Sequence, residues 1–284
     1  MAEPPNKEEI EKKEKLSSNE LFKLAFENKN PLIQTNFYKQ VLDLEPDNRN
    51  ALNNIAVALY HQNRFHEAIE YLNRSIELYP TYGLAYANRA HCFNQLGNIE
   101  QAFKDVDRAI ELNPNLEWAY SIKGNLLTKQ NKFEEAEKQL QKAIDINPNS
   151  PHAYFNRAYF KEETGKYEES AEDYKKAQVL GFDNETLLYN NLAVLSRRLG
   201  EYDKALEYLE KVKSVNPDFP NLYGTMALVY ADKSDDDNFY KYLKMALDKG
   251  CLAWNYLSDP GFNNYRDTQK LKDLMEPYQK KYNA

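Results

Sequence analysis

Glycine and proline are scarce in this chain, 9 and 12 among 284 residues. That excludes collagen-like and low-complexity chains, and it argues against a sheet protein, which needs many tight turns. Cysteine is almost missing. Cys92 and Cys251 stand far apart and form no CxxC pair, so no disulfide framework is written here, and both read as reduced, partly buried thiols. No apolar run approaches the roughly 18 residues of a membrane span, so no membrane insertion is expected. Positive charge is not in excess. The formal net charge is −7, and general affinity for DNA or RNA, which needs clustered cations, is not expected. Met1 to Lys15 is charged and lacks an apolar stretch, so it does not read as a signal peptide. The expected location is the cytoplasm; a leader removed upstream would leave no trace, which keeps the periplasm open.

What the chain does have is length enough for a sizeable core, 42% hydrophobic residues, and a beat. Prolines fall at Pro46, Pro80, Pro114 and Pro148, 34 residues apart each time; Phe182 holds the next slot and Pro217 follows. Small residues keep the same period at Ala56, Ala90, Gly124, Ala158, Ala193 and Ala227. A second series runs Ala68, Ala102, Ala136, Ser170 and Ala205, and a third Ser75, Ala109, Ala143 and Ala177. Series that agree over so many cycles are the signature of a repeat architecture.

Each period reads as two helices. In 83–116, Tyr86, Ala90 and Phe93 recur at helical spacing, and Ile99, Ala102, Val106, Ala109 and Ile110 give a second amphipathic helix. Between them stands Asn63, Gly97, Asn131, Gly165 or Gly200 in successive units, residue types that tolerate the left-handed conformation closing a helix. Proline then ends the second helix. Small side chains let the two helices approach closely, so a large residue at Ala90 or Ala102 overpacks at a cost of roughly 1–3 kcal/mol.

Tyr86, Ala90, Phe93, Ala102, Ala109 and Pro114 together resemble the tetratricopeptide repeat signature. The resemblance covers about residues 15–253, as seven units beginning near Lys15, Arg49, Gly83, Glu117, Pro151, Thr186 and Pro220. It implies an all-α fold, a right-handed superhelical solenoid of stacked helical hairpins, each burying its neighbour's apolar face. The end units depart from the pattern. The first has Gln34 at the alanine slot and Pro31 opening its second helix; the last has Phe239 in that slot and an acidic turn, Asp235-Asp236-Asp237. Both read as capping units. Ser258 to Arg266 reads as a loop, and 254–284 as loop plus a capping helix with the stripe Leu271, Leu274, Met275, Tyr278 and Tyr282, which Pro277 kinks or stops. Residues 1–14 are expected to be disordered or frayed.

Chemistry-bearing motifs are missing. There is no glycine-rich phosphate loop and no GxSxG elbow, and His61, His66, His91 and His152 lack HExxH spacing. Glu134-Glu135 and Glu162-Glu163 read as solvated faces. No cofactor, no metal and no catalysis are expected. Arg89 and Arg157 stand sixteen residues before Asp105 and Asp173, and the resemblance implies that a hairpin pairs them.

Two residues before the small residue of each first helix, nearly opposite it around the axis, stand Asn54, Asn88, Ile122, Asn156 and Asn191. The resemblance implies that this slot faces a concave groove, where asparagines grip an extended peptide. A carboxamide pairs with both C=O and N–H of a backbone whatever the side chains; Ile122 interrupts the ladder. On neighbouring stripes lie His91, Trp118, Asn125, His152, Phe155 and Tyr159, whose large aromatics are anchors of the kind that carry binding energy. Anchors are needed: four ladder hydrogen bonds at about 0.5–1.5 kcal/mol each fall short of the roughly 8 kcal/mol of micromolar binding. The alternative for Trp118 and Phe155 is packing on adjacent loops. The resemblance implies that a carboxylate-capturing variant of such grooves uses lysine and asparagine on one helix and lysine and arginine on a later one. It is not expected here, since those slots hold Asn53 and Val57, then Ser121 and Asn125, with no lysine, while Arg197 and Arg198 form a possible positive site. The expected function is a non-catalytic scaffold that binds a protein or peptide partner. The alternative is a structural subunit or immunity-type inhibitor, which binds a folded partner through its edges or convex face.

Overall fold

The computed structural model describes residues 16–219, 221–250 and 259–282, with side chains as far as 278. Residues 1–14, Cys251 and the Tyr282 side chain lie outside the described residues. Among those described, the regular structure is helical throughout. α1 (Ser18–Glu27) pairs with α2 (Pro31–Leu44), α3 (Arg49–Tyr60) with α4 (Phe65–Leu78), α5 (Gly83–Gln95) with α6 (Ile99–Leu112), and α7 (Glu117–Lys129) with α8 (Phe133–Ile146). Then come α9 (Pro151–Glu163) with α10 (Tyr167–Val179), α11 (Glu185–Arg198) with α12 (Tyr202–Val215), and α13 (Leu222–Asp232) with α14 (Asp236–Asp248), before α15 (Gln269–Tyr282). The chain forms two compact units, one ending at Pro148 and the other starting at Asn149. Each is described by itself below.

The periodic small residues lie where two helices of a hairpin touch. Ala56, Ala68, Ala90, Ala102 and Ala136 are buried in unit 1, and Ala158, Ala193, Ala205 and Ala227 in unit 2. Gly124 is smaller still for a reason: a Cβ there would lie 2.5 Å from Leu140 Cγ. The helix breaks adopt left-handed backbone, with φ of 58° at Asn63, 74° at Gly97 and 58° at Asn131. Ser234, φ 56°, does the same in the last hairpin, without the glycine or asparagine that makes such a turn legible.

The atypical hairpins have their own solutions. Pro31 is the first residue of α2, where its missing N–H costs nothing, and Asn30 caps the helix by accepting from Leu32 N at 2.9 Å. Gln34 folds back and donates to the Asn28 carbonyl at 2.6 Å. In the last hairpin Phe239 is fully buried, its ring stacked on Tyr265 at 3.9 Å and edge-on to Phe262. The expected loop 258–266 therefore does more than connect. It contains a 3-10 turn, Pro260–Phe262, and drops Phe262 and Tyr265 into the core. Leu271 and Met275 of α15 are buried in that cluster, with Leu274 and Tyr278 packed at its margin. α15 runs past Pro277, whose side chain is exposed.

The Arg–Asp pairs form in both units. Arg89 donates to Asp105 from Nε and Nη2 at 2.7 and 2.8 Å, and Arg157 to Asp173 at 2.7 Å from each nitrogen. They are not surface pairs, for the two aspartates are 5% and 4% exposed. Bidentate geometry and shielding from water make them stronger than the exposed kind.

Candidate functional site

In unit 1, Asn54 and Asn88, opposite the small residues of α3 and α5, are joined through buried Asn53 in a row of carboxamides bonded to one another. Asn54 Nδ2 donates to Tyr38 Oη at 3.4 Å, and Asn53 Nδ2 to Asn54 Oδ1 at 3.2 Å. Asn88 Nδ2 then donates to Asn53 Oδ1 at 2.9 Å, and Trp118 Nε1 to Asn88 Oδ1 at 3.1 Å. The row so fixes the amide orientations of three asparagines on two helices. Each carboxamide has two N–H groups and two acceptor lone pairs, so Asn54 and Asn88 keep capacity beyond these bonds.

Beside the row stand aromatic rings. His91 stacks on Tyr60 with centroids 4.2 Å apart, and its Nε2 lies 2.8 Å from Tyr60 Oη. Trp118 meets His91 edge-on at 5.0 Å. Gln95 donates to the same Tyr60 hydroxyl at 2.7 Å. Trp118 and Asn125 are half-buried, while Ile122 is buried in the core, so the break in the asparagine series is an apolar contact rather than a gap. Lys129, one turn beyond Asn125, donates to Oδ1 of buried Asn94 at 2.8 Å. Lys129 is exposed, and partial desolvation at this contact pulls its ammonium below the usual lysine range. Cys92 lies on the core side of α5, and burial pushes its thiol up to about 12, which keeps it protonated and inert.

Unit 2 repeats the row in part. Asn191 Nδ2 donates to Tyr174 Oη at 3.2 Å, and Asn190 Nδ2 points to Asn191 Oδ1 at 3.5 Å. There it stops: Oδ1 of Asn190 is buried without a partner among the described residues. Thr225, at the slot equivalent to Asn88, turns its hydroxyl to the Asn221 carbonyl instead. The other end differs too. Tyr174 donates to the Glu162 carboxylate at 3.3 Å, with Arg198 Nε 3.6 Å from the second oxygen. Glu162, read above as a solvated face, is 7% exposed, and burial holds its carboxyl above the usual range.

Two candidate positions sit differently from the expectation. Phe155 is no exposed anchor. Its ring stacks on Phe182 at 4.2 Å and 5° and meets Tyr174 edge-on, inside a core cluster. Phe182 fills the place of the periodic proline, and its ring rather than a pyrrolidine covers the hairpin. Asn156 is buried next to it, whereas Tyr159 is half-buried. His152 lies against Phe182 and 3.3 Å from Asp183, on that same turn. Arg197 is not a vacant positive site either: it bridges Asp232 at 2.6 Å and Asp259 at 2.5 Å. Arg198 donates to Tyr167 Oη at 3.2 Å as well as facing Glu162. Sequence reasoning missed Tyr60, Asn53 and Asn190 because the period gives a residue's direction around the helix and not its hydrogen-bond partner.

Four family models match the chain: two Tetratricopeptide repeat models at 47–113 and 187–219, a third at 151–178, and a TPR repeat model at 124–162. No curated protein matches. Among solved structures, the Cut9–Hcn1 hetero-tetramer of the APC/C is similar at TM-score 0.66 and 17% identity, over 92% of this chain and 51% of that one. A tetratricopeptide repeat protein from Parabacteroides merdae gives 0.55 and 20% over 92% and 98%, and pilF of Pseudomonas aeruginosa 0.56 and 17% over 77% and 96%. At these identities the likeness shows the fold alone. The chain belongs to the tetratricopeptide repeat family. Its architecture is that of a protein-interaction scaffold.

Proposed function

We propose that this is a non-catalytic scaffold that holds an extended segment of a partner protein on the first-helix face, described here for unit 1. The observation that supports the reading is the row Asn54, Asn53, Asn88, closed by the Trp118 indole: buried Asn53 fixes the orientation of Asn54 and Asn88, which keep spare capacity and stand on successive hairpins. A peptide backbone offers C=O and N–H groups at regular intervals, and oriented carboxamides meet them without the entropy loss of ordering flexible side chains. Tyr60, His91 and Trp118 add aromatic surface, and Asn125 extends the same stripe. In unit 2, Asn156, Tyr159 and Asn191 are the matching positions. The roles of these residues, the absence of catalysis and the absence of a nucleic-acid partner belong to this reading. The test is recovery of partner from source-cell lysate by wild type, by an Asn88→Ala, Trp118→Ala double variant, and by Lys104→Ala on the exposed side of α6. Loss in the double variant alone supports the groove; equal recovery by all three overturns it.

A second reading has its own observation. The first hairpin exposes Phe26 at 70% and Leu32 at 63%, with Leu24 and Ile33 also exposed. Such a patch suits a folded partner at this edge. Loss of partner with Phe26→Ser and Leu32→Ser, and its retention by the groove variant, would select that reading.

A further inference from the structure

The charge of unit 1 is sorted by helix. α3 and α5 contain no aspartate or glutamate, and α7 has only Glu117, its first residue. Every one of α4, α6 and α8 carries three or more. In a chain of net charge −7, the helices that form the proposed binding face are thus nearly free of acid. Their cations are mostly spoken for: Arg89 is bidentate to Asp105, Lys123 bonds Asp107 at 2.8 Å, and the Arg49 guanidinium lies 4.6 Å from the Tyr82 ring centroid.

Lys129 is the exception. Its ammonium is held by a neutral acceptor, Asn94 Oδ1, on the adjacent first helix, and no carboxylate lies in ion-pair range among the described residues. It continues the stripe of Trp118, Ile122 and Asn125 at helical spacing. A lysine in the last turn of a helix is favoured by the helix dipole in any case, but that effect requires neither the Asn94 contact nor this face. Lys129 is exposed, and partial desolvation where the ammonium meets Asn94 lowers its proton affinity.

We propose that Lys129 receives a side-chain carboxylate of an extended partner segment lying on α3, α5 and α7. The proposal rests on the groove reading above and adds the partner's chemistry: an aspartate or glutamate at a fixed place in the bound segment. One cation among neutral amides and aromatic rings fits a carboxylate in a peptide. A nucleic-acid backbone requires clustered positive charge, which this face lacks.

The test is selection from a random dodecapeptide library displayed with blocked C-termini, on the full chain and on its Lys129→Glu, Lys129→Met and Asn88→Ala variants, with circular dichroism confirming each fold. The expected result is an acidic residue at one position of the wild-type-selected peptides, replaced by lysine or arginine with Lys129→Glu and unselected with Lys129→Met. A selected peptide should lose about tenfold in affinity on Lys129→Met and much of its salt dependence. Selected peptides without an acidic preference, or with one that Lys129→Glu leaves unchanged, overturn this proposal and leave the groove reading standing. Binding that appears only with a free C-terminus overturns the side-chain assignment. No selected peptides at all, or peptides indifferent to Asn88→Ala, overturn both.

Discussion

Unit 1 and unit 2 hold the same two devices and finish them differently. Both pair an arginine of a first helix with an aspartate sixteen residues on, and both run asparagines back to a buried tyrosine, Tyr38 or Tyr174. Unit 1 finishes the row with neutral groups: Asn88 and the indole of Trp118. Unit 2 ends it on the Glu162 carboxylate at one side and, at the other, on an Asn190 oxygen with no partner among the described residues. Its Arg157–Asp173 pair also takes in Lys161 at 2.9 Å, at a slot that holds Phe93 in unit 1. The lesson is that a repeat fixes where a side chain points, while the partner it meets decides whether the slot is structural, titratable or available to a ligand.

The widest separation between the two should come from the aspartates. Asp173→Ala removes a buried acceptor shared by Arg157 and Lys161, at a cost of about 3–5 kcal/mol, whereas Asp105→Ala should cost less because only Arg89 draws on that carboxylate. Urea denaturation of both variants checks this; equal losses would mean that the added lysine is irrelevant. Asn53→Leu should cost about 1–2 kcal/mol, because Asn54 and Asn88 each lose a partner, while Asn190→Leu should be near neutral, since it gives up only the long 3.5 Å contact to Asn191 and removes an oxygen with no partner among the described residues. A loss at Asn190 comparable to that at Asn53 would show a hidden partner in unit 2.

Glu162 makes the comparison depend on pH. Burial raises its carboxyl, outweighing the opposing pull of Arg198 and of the Tyr174 hydrogen bond. Its contribution to folding is therefore fully present below the unfolded value of about 4.3 and is lost as pH rises through the higher folded value. Glu162→Gln should raise the unfolding midpoint at neutral pH and leave it unchanged in acid below that value; a lowered neutral midpoint would show that the ion pair with Arg198 dominates. The smallest effect concerns the hairpin turns. Ser234→Gly relieves left-handed strain that Gly97 and Gly200 never incur, and should stabilise by less than about 1 kcal/mol, because glycine gains freedom in the unfolded chain.

Much of the fold was legible because small residues and helix breaks recur at a fixed interval and each has one mechanical use. Ala90 and Ala102 are small because two helices touch there; Gly97 and Asn131 close helices with positive φ. Illegible was what depends on substitution at a periodic slot. Phe182 in the proline place pulls Phe155 into the core, and Ser234 does a glycine's work. The direction of Asn54, Asn88 and Asn191 followed from helical geometry; their bonds to Tyr38, Asn53 and Tyr174 did not, since those partners come from a different hairpin or helix.

The central claim is that the first-helix face of unit 1 is where a partner lies. The direct measurement replaces Val57, one turn from Asn54 and outside the carboxamide row, Lys104 and Phe26 in turn with a photo-crosslinking phenylalanine, irradiates in source cells, and sequences the captured peptides by mass spectrometry. The account predicts that position 57 captures one continuous partner segment with an acidic residue and that position 104 captures nothing. Capture from position 26 alone, with none from position 57, would contradict it.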